Sequence, residues 1–419
     1  MKIVVVIAFI SGIAGCMKQS EKYCAMHPDD TEHCSGGDDG GMACVDNDDC
    51  IAIDPTKAVC TDDRMCVECT VEDATACTDG RVCLGRACGD CTDHAQCDSG
   101  VCQASGRCAD ASMVAYVAPT GGGDQCTQAA PCDDANEAEN TARPIIKVTG
   151  IITSTNQVMF SARSTAIYAE PGAAFTRSSP GNIIEISNDG TELAIYGLRI
   201  FGASSATNSG NGIFFMNQGD PKLTIDRCLI ESNTGSGVRA PDGGDITITR
   251  SVIANNSGST GLVLQNGKFN VTNTVIAGNG RNTLTSAGGA LLQPALASKF
   301  EFNTLADNMN NLGAGNYRGI TCVSFDLAND IVVGNDTSGC GATYTFFSSG
   351  DMVVGTGNKM GNPVFVSTAM PSSATYYRID PTSPAKDEAD TAATLTMDID
   401  GNMRPIDGRS DMGADEVAP

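Results

Sequence analysis

Between residues 193 and 335 one short pattern is written repeatedly, and such repetition limits a chain to architectures built by stacking similar units. Leu223–Asn233 aligns with Ile246–Asn256 and with Phe269–Asn279, so the closing asparagines stand 23 residues apart. The same asparagine returns at Asn308 and Asn335, after steps of 29 and 27. A second line is glycine followed by an aliphatic residue, at Gly212-Ile213, Gly237-Val238, Gly261-Leu262 and Gly319-Ile320, with Gly289-Ala290 a weaker copy. Within each unit apolar residues alternate: Leu223 and Ile225, Ile246 and Ile248, Phe269 and Val271. Period two marks a strand with one buried face, and no run has the length or spacing of a helix.

A unit of this size holds three strands of about five residues, with Gly, Asn, Asp and Ser at the corners. One unit cannot bury its apolar face alone. Stacked coils bury it against the coils above and below, at a rise of about 4.8 Å. A leucine-rich repeat would need regularly spaced leucines and a helical half, and a propeller blade about 40 residues. The expected fold is therefore all-β: a right-handed single-stranded parallel β-helix (a solenoid) preceded by a small disulfide-rich region. Roughly nine or ten coils would make a rod about 45 Å long. Asn233, Asn256, Asn279, Asn308 and Asn335 are expected to occupy left-handed corners and to bond amide to amide in a ladder. In these residues the chain resembles the pectate lyase-like right-handed parallel β-helix proteins. Less regular coils are expected at Ile145–Ile152, Thr165–Ala169, Ile183–Ile186 and Leu193–Ile200, and later at Asp330–Val333, Asp351–Val354 and Val364–Val366.

The formal net charge is −24 and the pI about 4.3, which argues against a nucleic-acid partner. Residues 1–15 carry a lysine and a short apolar run, Ile3–Ile10, and read as a signal peptide; the run is too short to span a bilayer. Ile13-Ala14-Gly15-Cys16 resembles the lipobox of bacterial lipoproteins. The resemblance implies lipidation of Cys16, attachment to a membrane through that lipid and, with Met17 following, an outer-membrane or cell-surface location. The alternative is an ordinary secretory peptide with Cys16 in a disulfide.

Fourteen cysteines lie between Tyr23 and Asp110, grouped as modules 44–66, 69–88 and 91–108, with Cys24 and Cys34 left as an extra pair. Each module is too small for an apolar core, so disulfides must hold it in an exported chain. Four cysteines permit three connectivities, and spacing does not choose among them. Cys66-x-x-Cys69 and Cys88-x-x-Cys91 fall at module junctions, where a disulfide reading is preferred to zinc or redox chemistry. Asp46, Asp48, Asp49, Asp62 and Asp63 read as a solvated acidic spacer, with calcium as the alternative. Residues 16–110 loosely resemble the disulfide-rich stalks of bacterial surface lipoproteins, and the β-helix is placed at 111–419.

Its N-terminal cap is expected over 113–144. Tyr116–Gly121 followed by Cys126 and Cys132 resembles the entry strand and loop of secreted β-helix proteins, the two cysteines closing the loop. A helix over 133–142 would cover the first coil's open edge. Cys322 and Cys340 are expected to pair across a loop. The C-terminal cap, 380–419, carries Asp380-Pro381-Thr382-Ser383-Pro384-Ala385, Asp398–Arg404 and Asp411–Glu416. These resemble the ending of the choice-of-anchor Q β-helix family, whose name specifies no reaction. Asp398, Asp400 and Asn402 begin like an EF-hand loop, but Arg409 stands where a bidentate Glu is needed. Calcium is the lesser reading there; the preferred one is a cap in which Arg404 and Arg409 neutralise Asp400, Asp407 and Asp411.

All three histidines, His27, His33 and His94, lie in the cysteine region, so a histidine-based site within the β-helix is not expected. Asp226, Arg227 and Arg250 are the best charged constellation, the two arginines falling 23 residues apart at one corner of adjacent coils. Two roles are open to them: to clamp an anionic sugar, or to be neutralised by Asp226 or Glu231 in ordinary surface ion pairs. With no tryptophan and 5% aromatic residues, ring-stacking sugar sites are scarce. The reading is a lipid-anchored surface β-helix that acts as a binding or structural element and is not an enzyme. Its partners are the membrane and a polysaccharide or another surface protein, and no cofactor is required beyond the calcium alternative. The second reading is a polysaccharide lyase or glycoside hydrolase acting on an acidic polysaccharide.

Overall fold

The computed structural model describes residues 44–73, 76–205, 210–216, 219–258, 260–281, 287–309, 318–348, 353–406 and 408–418. The leader, Cys16, Cys24, Cys34, His27, His33 and Asp407 lie outside the described residues. The chain divides into two compact units, the second beginning at Cys91.

The first unit contains two of the cysteine modules. Both use the same connectivity, first to third and second to fourth: Cys44–Cys60 with Cys50–Cys66, then Cys69–Cys83 with Cys77–Cys88. A helix at Asn47–Ile53 starts where the Asp46 side chain accepts from Asp49 N. Among the described residues of the unit there are also two short antiparallel hairpins. The third module repeats the scheme as Cys91–Cys102 and Cys97–Cys108. Every cysteine of the two Cys-x-x-Cys sequences is bonded outside its own motif, so neither is a dithiol or a zinc knuckle.

Sequence grouped module 91–108 with the stalk; its contacts place it in the β-helix unit. Tyr116 Oη donates to Ser99 O at 2.9 Å, and Ala104 N donates to Tyr168 Oη at 3.3 Å. Val101, Ala109, Tyr116, Ile145 and Tyr168 make one small buried cluster there.

In this second unit parallel strands stack in three columns. The first runs through Val114–Val117, Ile145–Val148, Ser164–Ala169, Glu192–Tyr196, Lys222–Asp226, Asp245–Thr249, Lys268–Thr272 and Lys299–Glu301. Among the described residues the second holds ten strands from Ile151–Ser154 to Lys359–Met360, and the third runs from Val158–Ser161 to Ala290–Gln293. The long strand Arg318–Ala328 joins the first and third columns. Inward positions stay in register from coil to coil: Ile195, Ile225, Ile248 and Val271 are aligned and all 0% exposed. Each such side chain contributes about 1.5–3 kcal/mol of transfer free energy. The helix ahead of the first complete coil is Ala135–Asn140, started by the Asp134 side chain accepting from Asn136 N.

Two expectations are corrected. The ladder asparagines are not the left-handed residues. That conformation belongs to the residue before each: Ser232, Asn255, Gly278, Asp307 and Gly334. The preceding left-handed residue turns the chain so that the asparagine points inward, where its amide replaces backbone partners lost at the corner. Asn233 Nδ2 donates to Asn256 Oδ1, Asn256 to Asn279, and Asn279 to Asn308, each at 2.9 Å. Asn308 N donates to Asn335 Oδ1 at 3.0 Å. Gly237 is required beside this ladder, because a Cβ there would meet Gly261 O at 2.8 Å and Asn256 Nδ2 at 2.9 Å.

Val364–Val366 is not a further coil. It begins a returning segment, bridged antiparallel at Phe365 and Ile379. This segment lies along the outer face of the second column: Tyr376, Tyr377, Ile399 and Ala414 pack on Ala254, Val275, Ala277 and Ala306. Ile379, Ala385, Ala389 and Met412 pack on Phe302, Ile331 and Phe346.

Candidate functional site

One outward position of the first column carries most of the unusual chemistry. In register from coil to coil stand Tyr116, Lys147, Tyr168, Tyr196, Asp226, Thr249 and Thr272. The corner residue that follows is Gly197, Arg227, Arg250 and Asn273 on successive coils, each in the left-handed region.

Asp226 is 5% exposed and serves both arginines. Arg250 donates Nε to Oδ1 at 2.8 Å and Nη2 to Oδ2 at 2.6 Å, Thr249 Oγ1 donates to Oδ1 at 2.9 Å, and Arg227 Nε reaches Oδ2 at 3.1 Å. The two guanidinium groups are thus held together by one buried carboxylate between them. Glu231 serves a third arginine, Arg199, at 2.7 Å, whose guanidinium lies over the Phe201 ring at 4.0 Å. The returning segment brings a fourth, Arg378, paired fork to fork with Asp400 at 2.7 Å for both bonds. Arg199, Arg227, Arg250 and Arg378 line one groove of about 560 Å³, closed on one side by Pro371–Ala374.

Gly197 and Arg227 also line a second cleft, of about 460 Å³, formed against the third cysteine module. Tyr168 and Tyr196 stack with centroids 4.7 Å apart, and the His94 ring meets Tyr168 edge-on at 5.9 Å. A histidine therefore does reach the β-helix, contrary to expectation, because the third module packs on it. Its Nδ1 accepts from Cys102 N at 3.0 Å, which leaves the neutral ring with its proton on Nε2 and no lone pair for base catalysis. Burial, then Lys147, holds the imidazole below its usual pKa, with Glu170 and Asp93 opposing. Lys147 is 3% exposed and ion-paired with Glu170 at 2.5 Å. Burial lowers its pKa, and Glu170 opposes that shift. Nothing in the spacing of residues could have announced this cleft, which joins segments about 75 residues apart in sequence.

The remaining candidates are placed as follows. Cys126 is bonded to Cys132, and Cys322 to Cys340. Cys228 is a buried free thiol, which burial pushes up to about 12. Asp398 accepts from Asp400 N, from Asn402 N and Nδ2, and from Glu416 N, at 2.7–3.1 Å. Asp398, Asp400 and Asp415 approach one another, but the Arg378 guanidinium pairs with two of them. Their donors are spent within the chain and do not fit an EF-hand calcium set. The preferred pairing for the C-terminal segment is corrected too. Arg404 pairs with Glu416 rather than Asp411, Arg409 with Glu388, and Asp400 belongs to Arg378.

Burial above all pushes Asp415 up to about 7 and Asp411 up to about 6. Both values lie above the ordinary carboxylate range, so the folded chain holds protons that the unfolded chain has released. The associated stability is present at acid pH and lost as pH rises through about 6 to 7. The thermal midpoint is expected to fall between about pH 5 and about pH 8, and Asp415→Asn to flatten that slope. An unchanged slope in the variant would remove Asp415 as its source.

The sequence profile described as "Right handed beta helix region" matches residues 149–311 and 182–367, which together cover more than half of the chain. The chain belongs to the right-handed β-helix family. Among solved structures, the crystal structure of pectate lyase Pel9A is similar at a TM-score of 0.47 and 15% identity, over 73% of this chain and 96% of that one. No curated protein matches the chain.

Proposed function

We propose that this is an exported, lipid-anchored surface protein whose β-helix binds an acidic polysaccharide through the arginine groove without cleaving it. The observation that carries this reading is the convergence of Arg199, Arg227, Arg250 and Arg378 on one groove of a chain with net charge −24. Arginine presents a planar fork that matches carboxylates; Arg250 and Arg378 engage Asp226 and Asp400 with theirs, which leaves the exposed guanidinium of Arg227, bonded through Nε alone, as the main contact for a polymer carboxylate. Each is already held by Asp226, Glu231 or Asp400. That pairing favours the protonated guanidinium and opposes the neutral form a lyase base would need. Binding therefore fits the geometry better than elimination. Anchoring through Cys16 and the likeness of the ending to choice-of-anchor Q proteins belong to the same proposal and rest on the sequence.

The test uses the full chain with Cys16→Ser, titrated calorimetrically with polygalacturonate and with a neutral glucan. Binding to the first alone is expected, weakened by salt. Arg227→Gln, at a side chain 61% exposed, is expected to lose about tenfold in affinity, roughly the value of one charge-assisted contact. Unsaturated products would replace the binding reading with a lyase. No binding by the folded chain would leave a structural element.

A further inference from the structure

We infer that the cleft between the third cysteine module and the β-helix is a ring-binding subsite continuous with the arginine groove, so that the ligand is a mixed polysaccharide in which an uncharged sugar precedes a uronate. The inference rests on the arginine-groove reading and adds a class of ligand to it.

Continuity comes from the corner at Gly197. On the next two coils the same corner position carries the side chains of Arg227 and Arg250. At Gly197 it carries none, and a Cβ there would meet only Ala169 O at 3.5 Å. The two cavities share Gly197 and Arg227 as lining, and a chain lying in one can turn into the other past the bare corner.

The second cleft has a different chemistry from the first. Its wall is an aromatic stack in which Tyr168 is buried and fixed, with Ala104 N bonded to its hydroxyl and the His94 edge against its ring. Tyr196 is the half-buried outer member. A fixed aromatic wall costs little entropy to engage and suits the C–H face of a pyranose. Around it stand donors, the His94 Nε2–H and Arg227, and acceptors, the Glu170 and Asp93 carboxylates. That combination matches hydroxyl groups, each of which gives and takes a hydrogen bond. Lys147 already counters Glu170, Asp93 adds a further negative charge to the lining, and the only arginine among its lining residues is Arg227, on the wall shared with the groove. An uncharged ring fits in the cleft, and the acidic ring that follows it meets Arg227. A homopolymer of uronates would place a carboxylate near Asp93.

The experiment compares two probes of equal length on the full chain carrying Cys16→Ser: a hyaluronan hexasaccharide, which alternates an uncharged N-acetylated sugar with a uronate, and a hexagalacturonate, in which every ring is acidic. The alternating probe is expected to bind about tenfold more tightly. Tyr196→Ala is expected to remove that preference, lowering affinity for the alternating probe and sparing the uniform one, while Tyr196→Phe retains it. Gly197→Asn, which the left-handed corner tolerates, is expected to act like Tyr196→Ala by filling the passage. Arg227→Gln should weaken both probes. Equal affinities, or a Tyr196→Ala loss shared equally by both probes, would overturn the subsite and leave the arginine groove standing. Failure of the folded chain to bind either probe would overturn both readings.

Discussion

Replacing Ile248 with aspartate is expected to abolish cooperative folding of the β-helix. Ile248 is 0% exposed and lies in register between Ile225 and Val271, themselves 0% exposed. The substitution removes an apolar side chain worth about 1.5–3 kcal/mol and sets a carboxylate where no partner faces it. That second effect adds several kcal/mol, or forces protonation at comparable expense. Together they approach about 5 kcal/mol or more, against a total stability of about 5–15 kcal/mol for a typical domain. A solenoid has an added weakness. Each coil pairs its strands only with the coils beside it, so one failed coil interrupts the stack. Circular dichroism melts of wild type, Ile248→Val and Ile248→Asp would measure this. The valine variant should lose about 1 kcal/mol. An aspartate variant that melts with the wild type would show that the first column's register is wrong.

Removing Arg404 is expected to detach the C-terminal segment from the second column. Arg404 and Glu416 pair at 3.0 Å with both side chains 0% exposed. The guanidinium also donates to Asp411 O and Gly413 O and lies over the Phe302 ring at 4.6 Å. Arg404→Ala removes this ion pair from a place water does not reach. Breaking one partner of such a pair costs about 3–5 kcal/mol. Limited proteolysis should then cut within 363–418, and the coils should expose the apolar face the segment covers: Val275, Ala277, Ala306 and Ile331. The double variant Arg404→Met with Glu416→Leu removes both charges but leaves Asp411 O, Gly413 O, Ile406 N and Asp411 N without these partners, so it should recover only part of the loss. Proteolysis of Arg404→Ala indistinguishable from wild type would mean that apolar packing alone holds the segment.

The coils were legible because their determinants are local and periodic. Alternation in Leu223, Ile225, Ile246 and Ile248 specifies an inward face, and a fixed step of 23 residues specifies the stack. Those two facts placed Arg227 above Arg250 and Asn233 above Asn256 before any coordinates. They did not show which residue of each corner is left-handed, because a stack of asparagines suits either position until the backbone is seen. Nor could they say that Asp226 lies between the arginines. Adjacent residues in sequence point wherever the corner turns them, and this corner turns Asp226 under both.

What was not legible depends on contacts between segments far apart in the chain. Spacing left three disulfide connectivities per module, and folding chose one of them for all three modules. Composition placed His94 in a stalk, whereas packing of Val101 and Ala109 on the first coils brings it to Tyr168. Asp400 read as part of a terminal cap and Arg378, ahead of that cap, was not singled out; the returning segment makes both a wall of the groove. Repetition writes the rod into the sequence many times over. The groove is written once, in residues that meet only after the rod has formed.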